Sequence, residues 1–373
     1  MWDLAALDKT SKVQWDERNG LVQEIYYAGE PLRGKPTRVF AYLARPAAGP
    51  AAPARKYPAM VLVHGGGGQA FKAWAELWAK RGYVAIAMDL SGNGPGKVRD
   101  AGGGPPLNNE NVFFHADSDE AMRDGWTYHA VAAVIRAHSV LASLPEVDAD
   151  RIGVTGISWG GYLTCIVAGL DHRLKVAVPV YGCGYLQEDS YWTKDFVDQM
   201  TPAQKERWVR LCDPSSYLAR VQCPILFING ANDPRFFLDS HRRSYETVPT
   251  GLGHLAILIG LKHGHNFAIG EVNRFVDGIL AGGSLPPGFD SPRFEKGAAL
   301  VQLRGPALAE KAEMHYAPAI GPWVERKWTT VPAGLKDGSL SAVLPPGRPV
   351  VFYFSLIDTA GLHATSEYTE LAP

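Results

Sequence analysis

Between residues 59 and 281 the chain alternates short apolar runs with longer amphipathic runs. An unbroken apolar run of about five residues is typical of a parallel strand buried on both faces, and an amphipathic run of about ten or more is typical of a helix. The predicted strands are residues 59–63, 84–88, 151–155, 176–180, 224–229 and 255–259, and the predicted helices are residues 71–81, 119–143, 162–170, 237–248 and 271–281. This rhythm predicts an α/β fold with a mostly parallel, doubly wound sheet.

The pattern changes at both ends of this region. Residues 21–27 and 37–44 predict an antiparallel strand pair at the sheet edge, and residues 45–57 read as an Ala- and Pro-rich surface linker. From residue 285 to residue 373 apolar positions recur every second residue between turn signals, which predicts a β-sandwich of about seven strands. The chain therefore divides into an α/β domain, residues 1–284, and an accessory sandwich of the immunoglobulin or fibronectin kind, residues 285–373.

A Gly-x-Ser-x-Gly motif lies between a predicted strand and a predicted helix. It reads Gly156-Ile157-Ser158-Trp159-Gly160. Strand, sharp turn and helix together form the context of a nucleophile elbow, in which the serine hydroxyl stands out of the fold at a helix N-terminus. The two glycines are required because a Cβ at either position would strike a neighbouring strand or helix. Ser158 is the predicted nucleophile.

A serine hydroxyl needs a base, and the base needs an acid that orients it. In a sheet of this kind both are expected on loops after later strands, in the order serine, acid, histidine. Asp233 follows one late strand, and its alternative interpretation is a solvated turn carboxylate. His265 follows the last strand and directly precedes the start of the closing helix, so it is the predicted base. We expect a His265 ring nitrogen within about 3.5 Å of Ser158 Oγ.

Two backbone N–H groups should stabilise the negative charge that develops on an attacked carbonyl. The expected donors are the N–H of Trp159 and that of Gly66 or Gly67, which lie in the run His64-Gly65-Gly66-Gly67-Gly68 after the first parallel strand. A phosphate-binding loop is the alternative for this run, but the Lys-Ser/Thr pair of a P-loop is missing.

Two long irregular segments leave the carboxyl ends of strands, the edge at which such folds bind ligands. They are residues 91–118 and the insertion 185–213, and we expect them to roof the site. Trp192 and Trp208 of the insertion are candidate pocket residues, although they could instead only pin the insertion to the domain. His263 is a third candidate for substrate binding, expected either to support the reacting residues or to be partly exposed.

Composition narrows the function classes. The formal net charge is −1, so no electrostatic field favours nucleic acid or an anionic membrane, and no apolar run is long enough to cross a bilayer. The four cysteines show no metal-site spacing, so neither a metal nor a cofactor is expected, while a Cys183–Cys212 bridge stays open. The first residues lack the features of a signal peptide. A secreted, a periplasmic and a cytoplasmic location all remain open.

Residues 35–282 resemble the α/β-hydrolase superfamily. The run from Gly156 to Tyr162 resembles the Gly-x-Ser-x-Gly-Gly-Tyr elbow of prolyl-oligopeptidase-like enzymes, and Lys262-His263-Gly264-His265 resembles their histidine loop. This resemblance puts Gly264-His265 on the catalytic Gly-His pair. The Gly-rich run after residue 63 is similar to the run at this place in dienelactone hydrolases and bacterial acetyl xylan esterases. No β-propeller pattern accompanies the α/β region, which favours small esters over peptides.

The resemblance implies that the α/β domain, residues 1–284, is a catalytic α/β-hydrolase domain. The expected activity is that of a serine carboxylic ester hydrolase that forms an acyl-enzyme. Its substrate would be a small-molecule or carbohydrate ester, with an acetyl xylan-type ester as one option. The first alternative is a serine peptidase or amidase of the prolyl-oligopeptidase type. The second is a non-catalytic scaffold whose sandwich binds carbohydrate through Trp323 and Trp328, residues that more often belong to a core.

Overall fold

The computed structural model describes residues 1–9, 11–47, 56–305 and 309–373. Most of the predicted linker, residues 45–57, lies outside these residues. The helices are α1 (Leu4–Leu7), α2 (Lys72–Lys80), α3 (Asn109–Phe113), α4 (Trp126–Ala142), α5 (Trp159–Ala168), α6 (Pro202–Cys212), α7 (Leu238–Thr247) and α8 (Gly270–Leu280). Within the described ranges, none of the helices combines the length and the apolar character that a membrane span requires.

The strands of the α/β region are β1 (Val13–Asn19), β2 (Val22–Ala28), β3 (Arg38–Ala44), β4 (Tyr57–Val63), β5 (Val84–Met88), β6 (Val147–Ile157), β7 (Val176–Val180), β8 (Ile225–Gly230) and β9 (Gly253–Leu258). Over the described residues they form one nine-stranded sheet in the order β1-β2-β3-β5-β4-β6-β7-β8-β9. The pairs from β5 to β9 are parallel, and β1, β2 and β3 extend the sheet antiparallel. The predicted fold class is confirmed.

Strand β4 shows why its apolar run is unbroken. Val61 and Val63 pack into the core on the face covered by α4 and α5, whereas Met60 and Leu62 pack into the core on the face covered by α2 and α8. Successive strand side chains point to opposite faces, so a strand covered on both sides is apolar at nearly every position. Strand β1 is different: its residues are almost all exposed, and its polar sequence carries no strand pattern to predict it from.

The region after α8 is built from two antiparallel sheets. Their strands are β10 (Gly288–Phe289), β11 (Arg293–Glu295), β12 (Ala298–Arg304), β13 (Lys311–Pro318), β14 (Thr329–Pro332), β15 (Gly334–Lys336), β16 (Ser339–Val343), β17 (Val350–Ile357), β18 (His363–Thr365) and β19 (Thr369–Leu371). In the described residues each sheet has five strands, which makes ten rather than the predicted seven or so. Val301 and Leu340 of one sheet meet Met314 and Phe354 of the other in a shared core.

A second apolar cluster joins this sandwich to the α/β region. Ala231 and Ile257, at the ends of β8 and β9, pack with Trp323, Tyr353 and Tyr368 of the sandwich. The sandwich therefore rests beside the loop that follows β8. The four cysteines are all buried and free, so the Cys183–Cys212 bridge left open by the sequence is not formed.

Candidate active site

Ser158 occupies a strained turn between β6 and α5. Its backbone has φ 57° and ψ −122°, a conformation that residues other than glycine rarely adopt. The Ser158 N–H is bonded to Val180 O of β7 at 2.9 Å, which fixes the turn against the sheet. A Cβ at Gly156 would overlap Gly160 O, and a Cβ at Gly160 would overlap Val63 O. The steric need for both glycines is therefore confirmed.

The histidine that meets Ser158 is His263. Its Nε2 lies 2.9 Å from Ser158 Oγ, and its Nδ1 lies 2.8 Å from Asp233 Oδ2. Asp233 is buried, and its Oδ1 accepts the backbone N–H groups of Arg235 (2.9 Å) and Phe236 (2.8 Å). With Oδ1 held by the backbone, Oδ2 faces the imidazole. These three side chains have the geometry of a Ser-His-Asp triad.

The expected position of His265 against Ser158 is wrong. The His265 side chain is exposed and lies against Phe71, with ring centroids 5.0 Å apart. Partial burial lowers its pKa, and the nearby His263 and Lys97 lower that pKa further. His265 therefore lies beside the site, where it is mainly neutral near pH 7.

Contacts from other segments select His263. The Tyr181 hydroxyl donates to Gly264 O at 2.8 Å and so fixes the loop at the glycine between the two histidines. The imidazole of His263 lies between the ring of Tyr181, at 4.7 Å, and that of Phe236, which is nearly parallel to it at 6.3 Å. Both rings come from outside the histidine loop, so spacing within the loop could not reveal the choice.

The expected oxyanion donors lie next to the nucleophile. Trp159 is the first residue of α5, and its N–H, like those of Gly66 and Gly67, has no intramolecular acceptor in the described part of the chain. A Cβ on Gly65 would lie 2.9 Å from Ser158 Cβ, and a Cβ on Gly66 would lie 3.0 Å from the Trp159 ring, so the glycine run borders the elbow closely. The role of Trp159, Gly66 and Gly67 as donors remains a prediction.

Two side chains hold the glycine run in place. His64 is buried, its Nε2 accepts the Leu90 N–H at 2.8 Å, and its Nδ1 lies 2.8 Å from Gly65 O. Burial lowers the His64 pKa, so the ring is neutral, with Nδ1 donating and Nε2 accepting. Lys97 donates to Gly67 O at 2.7 Å from the loop 91–118.

The segments predicted to roof the site contact each other. Phe113 of the loop 91–118 stacks on Phe196 of the insertion at 5.3 Å. Trp208 is fully buried and donates from Nε1 to Val112 O at 2.9 Å, so it pins the insertion. Trp192 lies nearer the nucleophile, 4.5 Å between centroids from Trp159. Its substrate-binding role stays a prediction.

A solved structure has the same fold as this chain. The acetyl xylan esterase from Paenibacillus sp. R4 superposes with a TM-score of 0.60 at 21% identity, covering 74% of this chain and 92% of that one. This is an α/β-hydrolase fold. A sequence model of the acetyl xylan esterase family matches residues 10–188 of this α/β-hydrolase-fold chain, and a model of the prolyl oligopeptidase family matches residues 118–274.

Curated relatives of this α/β-hydrolase-fold chain fall into the same two groups. The acetyl esterase Axe7A of Xylanibacter ruminicola is 27% identical over 207 residues, which cover 52% of this chain and 46% of that protein. Dipeptidyl aminopeptidase BIII of Pseudoxanthomonas mexicana is 23% identical over 307 residues, which cover 72% of this chain and 41% of that protein. The chain spans less than half the length of either relative.

Several residues around the site belong to no sequence motif. Tyr181, Phe236 and Lys97 orient the histidine or the glycine run, yet each stands in a stretch without a chemical pattern. In the structure, two of these residues have a backbone with positive φ, Tyr181 (φ 35°) and Lys97 (φ 63°). Among the described residues, no group of three or more His, Cys, Asp and Glu side chains is arranged to hold a metal ion.

Proposed function

We propose that this chain is a serine carboxylic ester hydrolase that works through an acyl-enzyme. The observation that carries the proposal is the Ser158–His263–Asp233 chain of contacts, at 2.9 and 2.8 Å. His263 removes the Ser158 proton as Oγ attacks the acyl carbon, and Asp233 holds the imidazole and stabilises its charged form. The N–H groups of Trp159 and of Gly66 or Gly67 stabilise the oxyanion.

The remaining steps use the same residues. When the tetrahedral intermediate collapses, the bond to the alcohol breaks and His263 gives its proton to the leaving oxygen. Water then enters, loses a proton to His263, and attacks the acyl carbon. The second collapse releases the carboxylic acid and restores the Ser158 hydroxyl. The net reaction consumes one ester and one water and yields an alcohol and an acid.

We expect aromatic side chains to line the acyl pocket. Trp159, Trp192 and Phe236 pack edge to face or tilted on one another, with centroids 4.5 to 6.1 Å apart, and all three are buried. This aromatic wall begins at Trp159, directly after Ser158, and reaches the His263 imidazole through Phe236, so we expect the acyl group to meet an apolar surface. The acetyl xylan esterase family match supports an acetylated carbohydrate as the substrate class.

The second candidate is a serine peptidase or amidase. It is favoured by the prolyl oligopeptidase match, which spans residues 118–274 and so includes Ser158, Asp233 and His263. The same triad can protonate a leaving amine. Hydrolysis of p-nitrophenyl acetate, acetylated xylan and aminoacyl p-nitroanilides by one preparation separates the two. Faster turnover of the anilides than of the acetyl esters would favour the peptidase.

Ser158→Ala tests the proposal directly. Without the nucleophile, kcat for p-nitrophenyl acetate should fall by about 10³-fold or more, because the oxyanion donors alone leave only residual catalysis. The control is Ser284→Ala, an exposed serine after α8, which should keep the wild-type rate. A circular dichroism spectrum checks that the fold is intact. A folded Ser158→Ala protein within ten-fold of wild type would refute the assignment.

A further inference from the structure

One stacked arginine beside the site has no partner for its charge. In the described residues eight arginines lie over aromatic rings, and the other seven all have acceptors. Six pair with a carboxylate: Arg38, Arg45, Arg81, Arg242, Arg243 and Arg326. Arg220 donates to Ser216 O at 3.1 Å. Arg235, whose guanidinium carbon lies 3.7 Å from the Tyr191 ring centroid, has neither a carboxylate nor a carbonyl within bonding distance in the part of the chain that the structure describes.

Asp233 does not pair with the Arg235 guanidinium. Its Oδ1 accepts the backbone N–H of Arg235, not the guanidinium, and its Oδ2 faces His263. Tyr191 is 46% exposed, so the stacked pair is open to solvent on the outer side. The guanidinium is thus oriented by a ring, partly exposed to solvent and available to a ligand.

The pair is located at the rim of the proposed active site. The Tyr191 N–H donates to Arg235 O at 3.0 Å, which joins the insertion to the acid loop. The Tyr191 ring contacts Trp192 at 5.6 Å, and Trp192 contacts Trp159, the residue after the nucleophile. Trp192 is buried, whereas Tyr191 is half exposed. Arg235 and Tyr191 therefore lie one ring outward from the aromatic wall.

We propose that Arg235, supported by Tyr191, binds a carboxylate carried by the substrate away from the scissile ester. A guanidinium presents two parallel N–H donors that match the two oxygens of a carboxylate, and a ring beneath it keeps the fork oriented at little entropic cost. The substrate class is an acid-bearing ester, with the carboxylate on either the alcohol or the acyl part. The ester nature of the substrate rests on the proposed function, whereas the carboxylate-binding site does not.

Two matched ester pairs test the subsite. The first pair, 4-acetoxybenzoate and its methyl ester, carries the carboxylate on the alcohol. The second, mono-4-nitrophenyl adipate and its methyl ester, carries it on the acyl group. For Arg235→Gln we expect kcat/KM to fall about 10- to 100-fold more for the carboxylate member of one pair than for its methyl ester, as loss of a charge-assisted hydrogen bond implies. Arg235→Lys should recover part of that loss.

A binding measurement does not depend on turnover. Isothermal titration with 4-hydroxybenzoate and with adipate, the acid products, should show a Kd for one of them that Arg235→Gln raises by about ten-fold or more. The matched control is Arg220→Gln, the exposed arginine on Tyr217, which should leave all rates and both Kd values at wild type.

The outcomes separate the two proposals. If wild type hydrolyses none of the four esters, the proposed function fails and the binding comparison alone decides the subsite. A selective loss in one pair, or in the Kd of its acid product, supports the subsite and says on which side of the ester the carboxylate lies. Equal losses for acid and methyl ester in both pairs, with unchanged Kd values, would overturn it.

Discussion

At the scale of single residues, the site depends on which of two histidines turns inward. His263 and His265 are separated only by Gly264, and both belong to the loop that follows β9. Tyr181 holds the glycine carbonyl, and its ring and that of Phe236 enclose the His263 imidazole. The assignment of the base thus rests on contacts that orient one ring and leave the other exposed.

His263→Ala and His265→Ala should therefore have unequal effects. We expect His263→Ala to lower kcat for p-nitrophenyl acetate about as much as Ser158→Ala does, because residues of one catalytic unit are not additive. His265→Ala should lower kcat by less than about ten-fold, since its ring touches Phe71 rather than the serine. Steady-state kinetics of both variants and of the double variant Ser158→Ala/His263→Ala check this. A larger loss of kcat for His265→Ala than for His263→Ala would identify His265 as the base.

At the scale of elements, the acid loop is fastened to the sandwich. The side-chain amide of Asn232, directly before Asp233, donates to Trp323 O at 2.8 Å and to Arg326 O at 2.8 Å. These acceptors belong to the first residue of a short 3-10 helix of the sandwich, Trp323–Glu325, and to the residue that follows this helix. Trp323 itself is buried in the cluster between the two regions. Trp323 is thus a packing residue, and the sandwich supports the segment that orients Asp233.

Asn232→Ala should weaken both the fold and the site. Partly buried carbonyls that lose a donor cost about 1 kcal/mol in the free energy of unfolding, measured by urea titration. We also expect kcat for p-nitrophenyl acetate to fall several-fold with KM little changed, because Asp233 loses a neighbouring anchor while the pocket keeps its shape. Asn19→Ala, an exposed strand position, is the control. An unchanged kcat in a destabilised Asn232→Ala protein would limit the role of Asn232 to folding.

At the scale of the whole molecule, the junction of α7 with the sandwich contains a pair of carboxyl groups. Glu367 of the sandwich meets Glu246 of α7, with Arg242 and Arg304 nearby. Burial raises the Glu367 pKa to about 7, and the charge and hydrogen bond of Glu246 raise it in the same direction. The docked arrangement therefore holds a proton that the unfolded chain would release near pH 4.5.

This raised pKa sets the sign of a pH effect. A carboxyl group that binds its proton more tightly when folded makes the free energy of unfolding fall as pH rises, here between about 4.5 and 7. Glu367→Gln should remove that part of the pH dependence, so the variant gains stability relative to wild type above pH 7 and gains none below about pH 4.5. Urea unfolding from pH 4 to pH 8 measures it, with the exposed Glu295→Gln as control. Parallel curves for wild type and Glu367→Gln would contradict the expectation.

The sequence by itself determined the architecture and the place of Ser158, the proposed nucleophile. Mostly apolar runs predicted the buried parallel strands, because a strand covered on both faces holds few polar side chains. The glycines at 156 and 160 identified the elbow, because only glycine fits where backbone from two elements meets. Asp233 was found from its place after β8. These features are local, so the pattern along the chain is enough to reveal them.

Only the tertiary structure decided how separate segments meet. The polar edge strand β1 escaped prediction, and the number of sandwich strands was predicted as about seven rather than ten, because short or exposed strands carry weak patterns. The choice of His263 over His265 and the unpaired charge of Arg235 were equally hidden. Each depends on rings supplied by distant parts of the chain, Tyr181 and Phe236 for the histidine and Tyr191 for the arginine. Spacing along a loop limits how far a side chain reaches, but three-dimensional packing sets its direction.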